Sequence, residues 1–236
     1  MPQQSITLDE ALELTRTGDV WLFRGRSVAD RAIQVTTNSP VNHVGMSVVV
    51  EDLPPLLWHA ELSKSLTDVW SGSNHRGVQL HDMHDAVLLW ARRYGQRAWL
   101  RQLEPPISTD RGDAVLRTIA RLDGTPFPST ARLASRWLRG RIPTRRRRPP
   151  DAVPDPVAGT GPDAGPDAGP DAAPEAGVET AYCAEVVAVT YEAMGLLTSG
   201  RRPNWYDPGR FWSGDDLELS TGSRLGGEIA VSIPTG

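Results

Sequence analysis

"NHVGMSVVVEDLPPLLWHAEL", residues 42–62, holds two strand-like runs around a turn-rich centre. In the first run His43, Gly45 and Ser47 share one face, while Val44, Met46, Val48 and Val50 share the other. In the second, His59 and Glu61 share a face opposite Trp58, Ala60 and Leu62. "EDLPP" between them predicts an antiparallel hairpin. Matching polar face to polar face sets His43 beside His59 or Glu61. A hairpin centred on residue 51 puts His43 opposite His59, and one centred on 52 puts it opposite Glu61. Both keep the faces matched, because only odd slips turn side chains over. The register is open at this level, and an amphipathic hairpin can also just expose its polar face to water.

The partner for such a pair is in "ETAYCAEVVAVTYEAMGLL", residues 179–197, which contains the only cysteine. The spacing predicts a helix over about 180–195 with Gly195 just past its end. With Thr180 as N-cap, Cys183 falls at N3, where unpaired N–H groups and the helix dipole favour a thiolate. Val186, Val187, Thr190 and Met194 share its face, so packing is the default for this thiol. Glu185 is expected to face away from it. A nucleophilic thiol needs a base and the base an orienting partner. Five histidines are available: His43, His59, His75, His81 and His84. The last three lie in the polar stretch "SGSNHRGVQLHDMHD" and read as solvated. The grouping of His81, Asp82, His84 and Asp85 reads as chance, and no metal or cofactor is expected.

Elsewhere Thr7 to Glu10 forms a capping box opening a short helix that ends near Gly18. A second such box at residues 27–30 opens a helix to about residue 36. Strands are expected at "DVWLFRG", "RGVQLHD", "QRAWLRQL" and "GGEIAVSIP", and helices around 82–93, 108–122 and 129–139. "RIPTRRRRPP" (141–150) is followed by six acidic and no basic residues over 151–177, including three GPDA repeats. Such a segment buries too little apolar surface to order itself, so 141–178 is expected to be a disordered insert. Residues 1–140 and 179–236 are then two parts of one domain, since 58 residues alone make a poor core. The expected class is α+β: a mostly antiparallel sheet against the cysteine helix, with additional helices.

The 236 residues carry a net charge of −4, too mild to indicate nucleic acid. One cysteine excludes an intramolecular disulfide framework. No basic n-region or apolar run opens the chain, and no run approaches the ~20 residues that span a bilayer. A cytoplasmic setting is expected, where a lone thiol stays reduced.

In order, "TGDVWLFRG", "VNHVGMSVVV", "LWHAE", "YCAEVVAVTYEAMGLL", "DPGRFW" and "EIAVSI" resemble the circularly permuted NlpC-type, papain-like superfamily, in its YiiX-like branch. There the histidine strand precedes the cysteine helix. The resemblance covers about 1–103 and 178–236. It implies Cys183 as nucleophile, His43 as general base and His59 as the third residue, with Glu61 the alternative. It implies an oxyanion hole that includes the Cys183 amide, and Tyr182, beside the cysteine, lines the cleft or packs. The implied function is a thiol hydrolase acting on an amide or ester bond of a small-molecule, peptide or lipid-type substrate. Alternatives are acyl transfer on the same residues, or a non-catalytic module whose working part is the Arg run and acidic tail. The related lecithin:retinol acyltransferase group shares the permuted order, but its "NCEH" signature is absent.

Overall fold

The computed structural model describes residues 5–25, 39–126, 182–197, 200–214, 217–220 and 222–234. The helices expected after residue 27 and over 129–139, Thr180, and the insert at 141–178 lie outside them.

Nine strands and four α-helices make a mixed α+β fold among the described residues. The strands are β1 (Ser5–Thr7), β2 (Val20–Arg24), β3 (His43–Val48), β4 (Leu56–Glu61), β5 (Gly77–Asp82), β6 (Arg97–Arg101), β7 (Leu103–Glu104), β8 (Arg224–Leu225) and β9 (Ile229–Ser232). The helices are α1 (Leu8–Leu14), α2 (Met83–Tyr94), α3 (Thr109–Leu122) and α4 (Cys183–Ala193). Seven strands form one sheet in the order β1-β9-β6-β2-β3-β4-β5, and β7 pairs with β8 separately. All neighbours are antiparallel except β1 and β9. The C-terminal strand β9 thus sits between β1 and β6, both from the N-terminal part of the chain.

The sheet is covered on both sides, which explains why β2 to β5 are buried almost residue by residue. One side packs Val20, Leu22, Val44, Met46, Trp58 and Leu80 against α3 and α4. The other packs Trp21, Phe23, Leu57 and Leu100 against α1 and α2. The choice of side for α4 follows from its composition. Each Val or Leu fully buried contributes ~1.5–3 kcal/mol, and Val186 and Val187 are both completely enclosed on the Met46 and Trp58 side. A favourable charge interaction at a helix end contributes ~0.3–1 kcal/mol. Apolar burial therefore decides, and α4 lies on the apolar face of the hairpin. Trp58 Nε1–H donates to Thr190 Oγ1 at 3.1 Å and pins the contact.

Caps sit where local chemistry puts them. Thr7 and Glu10 satisfy one another's backbone amides at the start of α1. Asp82 caps α2 by accepting from the Asp85 amide at 3.0 Å. Tyr182 is the N-cap of α4, so Cys183 is at N1, two positions earlier than the sequence suggests.

Candidate active site: a histidine row and a helix-start thiol

The β3–β4 pairing matches Met46 with Trp58, which is the register centred on residue 52. Extended along the strands, it sets Gly45 opposite His59 and His43 opposite Glu61. The ring of His43 nevertheless leans diagonally to His59, with Nε2 and Nδ1 3.1 Å apart. Gly45 leaves that space open: a Cβ there would stand 2.7 Å from Leu57 Cδ1 and 3.3 Å from His59 Cβ.

The row continues beyond the residues that the sequence singled out. His59 Nε2 lies 3.0 Å from His81 Nδ1, and His81 Nε2 lies 3.0 Å from Gln79 Oε1. Far from being solvated, His81 is 1% exposed. Residues Gln79 and His81 share the face of β5 that continues the polar face of β4, opposite His59 and Leu57. The period-2 alternation of "GVQLHD" carried that signal. What hid it is α2, whose Trp90 ring closes over His43 and His59 at 5.2 and 5.1 Å between centroids. A polar strand face that would otherwise meet water is roofed by a helix.

Hydrogen-bond accounting orders the protons along this row. The Gln79 amide nitrogen donates to the Gly77 carbonyl at 3.4 Å, so its oxygen faces His81. His81 Nε2 must then carry a proton and His81 Nδ1 a lone pair. His59 Nε2–H donates to that lone pair, leaving His59 Nδ1 to accept from His43 Nε2–H. The outcome is an unprotonated Nδ1 on His43. Among the described residues nothing hydrogen-bonds this nitrogen, and His43 itself is partly exposed. Burial suits neutral rings. It pulls His43 down to about 3, with the His81 charge adding to the effect. Burial, then His81 and His43, hold His59 well below the usual histidine range. Burial brings His81 to about 4 against the pull of Asp68, with His75 also lowering it. The tautomers are measurable. Long-range proton–nitrogen NMR should find all three rings protonated at Nε2, and Gln79→Leu should leave a mixture. A proton on His59 Nδ1 in the wild type would contradict the ordering.

Glu61 does not reach His43. Its Oε1 accepts from Ser63 Oγ–H at 2.7 Å and Trp90 Nε1–H at 3.1 Å, and its Oε2 is 3.7 Å from His81 Nδ1. Burial raises its carboxyl. His59, Glu61 and His81 do bring ligand atoms within 4.8 Å of one another. A cation among them would have to replace the His59–His81 bond. Asp82, half-buried, and the exposed His84 and Asp85 are a separate group, without His81.

Cys183 is 5% exposed. Burial pushes its thiol up to about 11, while the amides of Val44, Ala184 and Cys183 itself favour the thiolate and Asp207 opposes it. The sulfur therefore meets β3 at the peptide directly after His43. The rings of His43, His59 and His81 project to the other side of the sheet, toward Phe23 and Trp90. Among the described residues no hydrogen bond joins the His43 ring to Cys183. Of the histidine row, His43 is the residue that adjoins the peptide near the thiol. Tyr182 is buried, its hydroxyl donating to the carbonyls of Tyr206 and Asn204 at 2.5 and 3.1 Å, so its ring is packed. Glu185, expected to face away from Cys183, is 2% exposed because α4 is enclosed nearly all round. Asp207, in the "DPGRFW" stretch, is also buried and caps its own turn by accepting from the Gly209 amide at 3.1 Å.

No family model and no curated protein matches this chain. Among solved structures, a crystal structure titled metalloprotein yiiX from Escherichia coli O157:H7 is similar at 18% identity with a TM-score of 0.44. The match covers 75% of this chain and 65% of that one, so the chain spans about two thirds of the neighbour's length. No helix among the described residues is long and apolar enough to cross a membrane.

Proposed function

We propose that this chain is a thiol hydrolase of the permuted papain-like kind, cleaving an amide or ester bond through an acyl-enzyme on Cys183. One observation supports this above the others. A buried sulfur at the first residue of α4 lies near the Val44 amide, in the peptide following His43, and the histidine row leaves the outer nitrogen of His43 as an acceptor. In this reading Cys183 Sγ attacks the carbonyl carbon, and His43 Nδ1 takes the thiol proton. The amide of Cys183, at N1 and unused by the helix, donates to the oxyanion. Collapse passes the proton from His43 to the leaving amine or alcohol and leaves a thioester. Water, deprotonated by His43, releases the acid. His59 is the positioning residue, through its bond to His43 Nε2. The setting is cytoplasmic, where the single thiol stays reduced.

The reading asks His43, the first residue of β3, to present Nδ1 to a sulfur held over its own peptide. Intact-mass analysis and peptide mapping after incubation with ester, thioester and amide donors test it. The wild type should gain one acyl group at Cys183 that turns over, and Cys183→Ser should gain none there. Release only to an added amine or alcohol would turn the reading into acyl transfer. No acyl-Cys183 with any donor class would overturn it.

A further inference from the structure

A second group of ligating side chains stands apart from the bonds of the histidine row. Asp68 and His75 belong to the segment between β4 and β5, and Asp123 is the C-cap of α3. Backbone bonds stitch these pieces together. The Val69 amide donates to the Leu80 carbonyl at 2.7 Å, the Val78 amide to Thr125 at 2.8 Å, and the Gly124 amide to Val78 at 3.0 Å. The approach at Gly77 is so close that a Cβ would stand 2.0 Å from the Thr125 carbonyl oxygen. The placement of the three side chains is thus set by main chain, and their ligand atoms all fall within 4.8 Å of one another.

Their polar atoms are unevenly served. Asp68 is fully engaged: Oδ1 accepts from the Leu80 amide at 2.7 Å, and Oδ2 from the Ser71 amide and hydroxyl at 2.6 and 2.5 Å. By contrast, both ring nitrogens of His75 and Oδ1 of Asp123 are buried without a hydrogen-bond partner. His75 Nε2 is 3.7 Å from Asp68 Oδ2, beyond hydrogen-bond reach. Buried polar atoms left unmatched point to a missing occupant. Burial, then the charge of Asp68 and a side-chain contact with it, raise the Asp123 carboxyl to about 6, while His75 lowers it. The His75 side chain is 23% exposed, so the group opens to water on one side.

We propose that Asp68, His75 and Asp123 bind a divalent first-row transition cation, with water completing its shell. The donor set decides the class. One imidazole with two carboxylates suits zinc or manganese, whereas calcium and magnesium take oxygen donors alone. Occupancy ties the β4–β5 segment to the end of α3. The site is independent of the thiol chemistry proposed above.

The test uses the full chain stripped with a chelator and exchanged into metal-free buffer. Zinc and manganese are added separately, with binding read against a competing chromophoric chelator and by thermal unfolding. The wild type should bind one ion and melt at a higher temperature when loaded. Asp123→Asn and His75→Gln should each lose at least about 100-fold in affinity and show no metal-induced gain. His75→Gln serves if Asp123→Asn does not fold. Cys183→Ser should bind as the wild type does, which separates this site from the thiol. Absence of binding tighter than about 100 μM, or binding that survives both ligand substitutions, overturns the proposal.

Discussion

Between pH 6.5 and 4, wild-type stability should fall by about 3 kcal/mol relative to His81→Gln. The sign follows from the ring's preference for its neutral form. Burial depresses His81 to about 4 in the folded state, against an ordinary value of 6.5. Its contribution is fully present above 6.5 and is lost as pH falls toward 4, because the unfolded chain takes up a proton that the folded chain refuses. Glutamine does not titrate, so the variant lacks this term. The shift of 2.5 units at ~1.36 kcal/mol per unit gives the figure. At pH 8 the variant should be the less stable protein, by ~1–3 kcal/mol, because His59 Nε2–H loses its acceptor in a buried site. The deficit should therefore shrink on acidification and close or reverse near pH 4. Urea midpoints for both proteins across the range read this directly. The comparison has to be a difference, since burial holds Glu192 up at about 7 and Asp123 up at about 6, with Asp68 adding to the latter. Those groups oppose the histidines in the wild type alone but cancel between the two proteins. A deficit that stays constant with pH would mean that His81 is protonated in the folded state, and the proton order along the row would fall with it.

The alternation of 42–62 was enough to put His43 and His59 on one face, and the polar pairing followed whichever register held. The register itself was not legible. It depends on Gly45, which has no side chain to read, and the answer combines both options: the strands pair as the Glu61 register requires, yet the ring goes to His59. His81 was misjudged for a reason outside its own segment. A run of polar residues looks solvated until a helix from the next stretch, here α2 with Trp90, is known to cover it. From the sequence the thiol is expected to meet His43 and His59, whereas α4 lies across the sheet from their rings. An apolar helix packs on the apolar face of a hairpin, and His43 and His59 occupy the other face. Only the position of His43 at the very start of β3 lets the two come near each other.

His43→Ala should slow acylation of Cys183 by 10²- to 10⁴-fold, the usual worth of a positioned general base, while leaving its alkylation by iodoacetamide nearly unchanged at every pH. The two reactions separate because the resting thiol is not an ion-pair partner of His43. Burial and the local amides set the thiol at about 11, and burial sets His43 at about 3, so proton transfer between them at rest is strongly uphill. Alkylation by a small reagent follows the thiolate population. At pH 7 that population is roughly 300-fold below that of an ordinary cysteine, and alkylation should climb steadily toward pH 11 in both proteins. Acylation differs because the substrate carbonyl develops negative charge as sulfur bonds to it, and the proton can leave for His43 Nδ1 only in that step. A wild-type thiol that alkylates with an apparent pKa near ~8.5 would show that the sulfur is open to water, contrary to its enclosure at the Val44 amide. A His43→Ala protein that acylates at the wild-type rate would remove His43 from the chemistry altogether, leaving the histidine row a structural feature of the sheet.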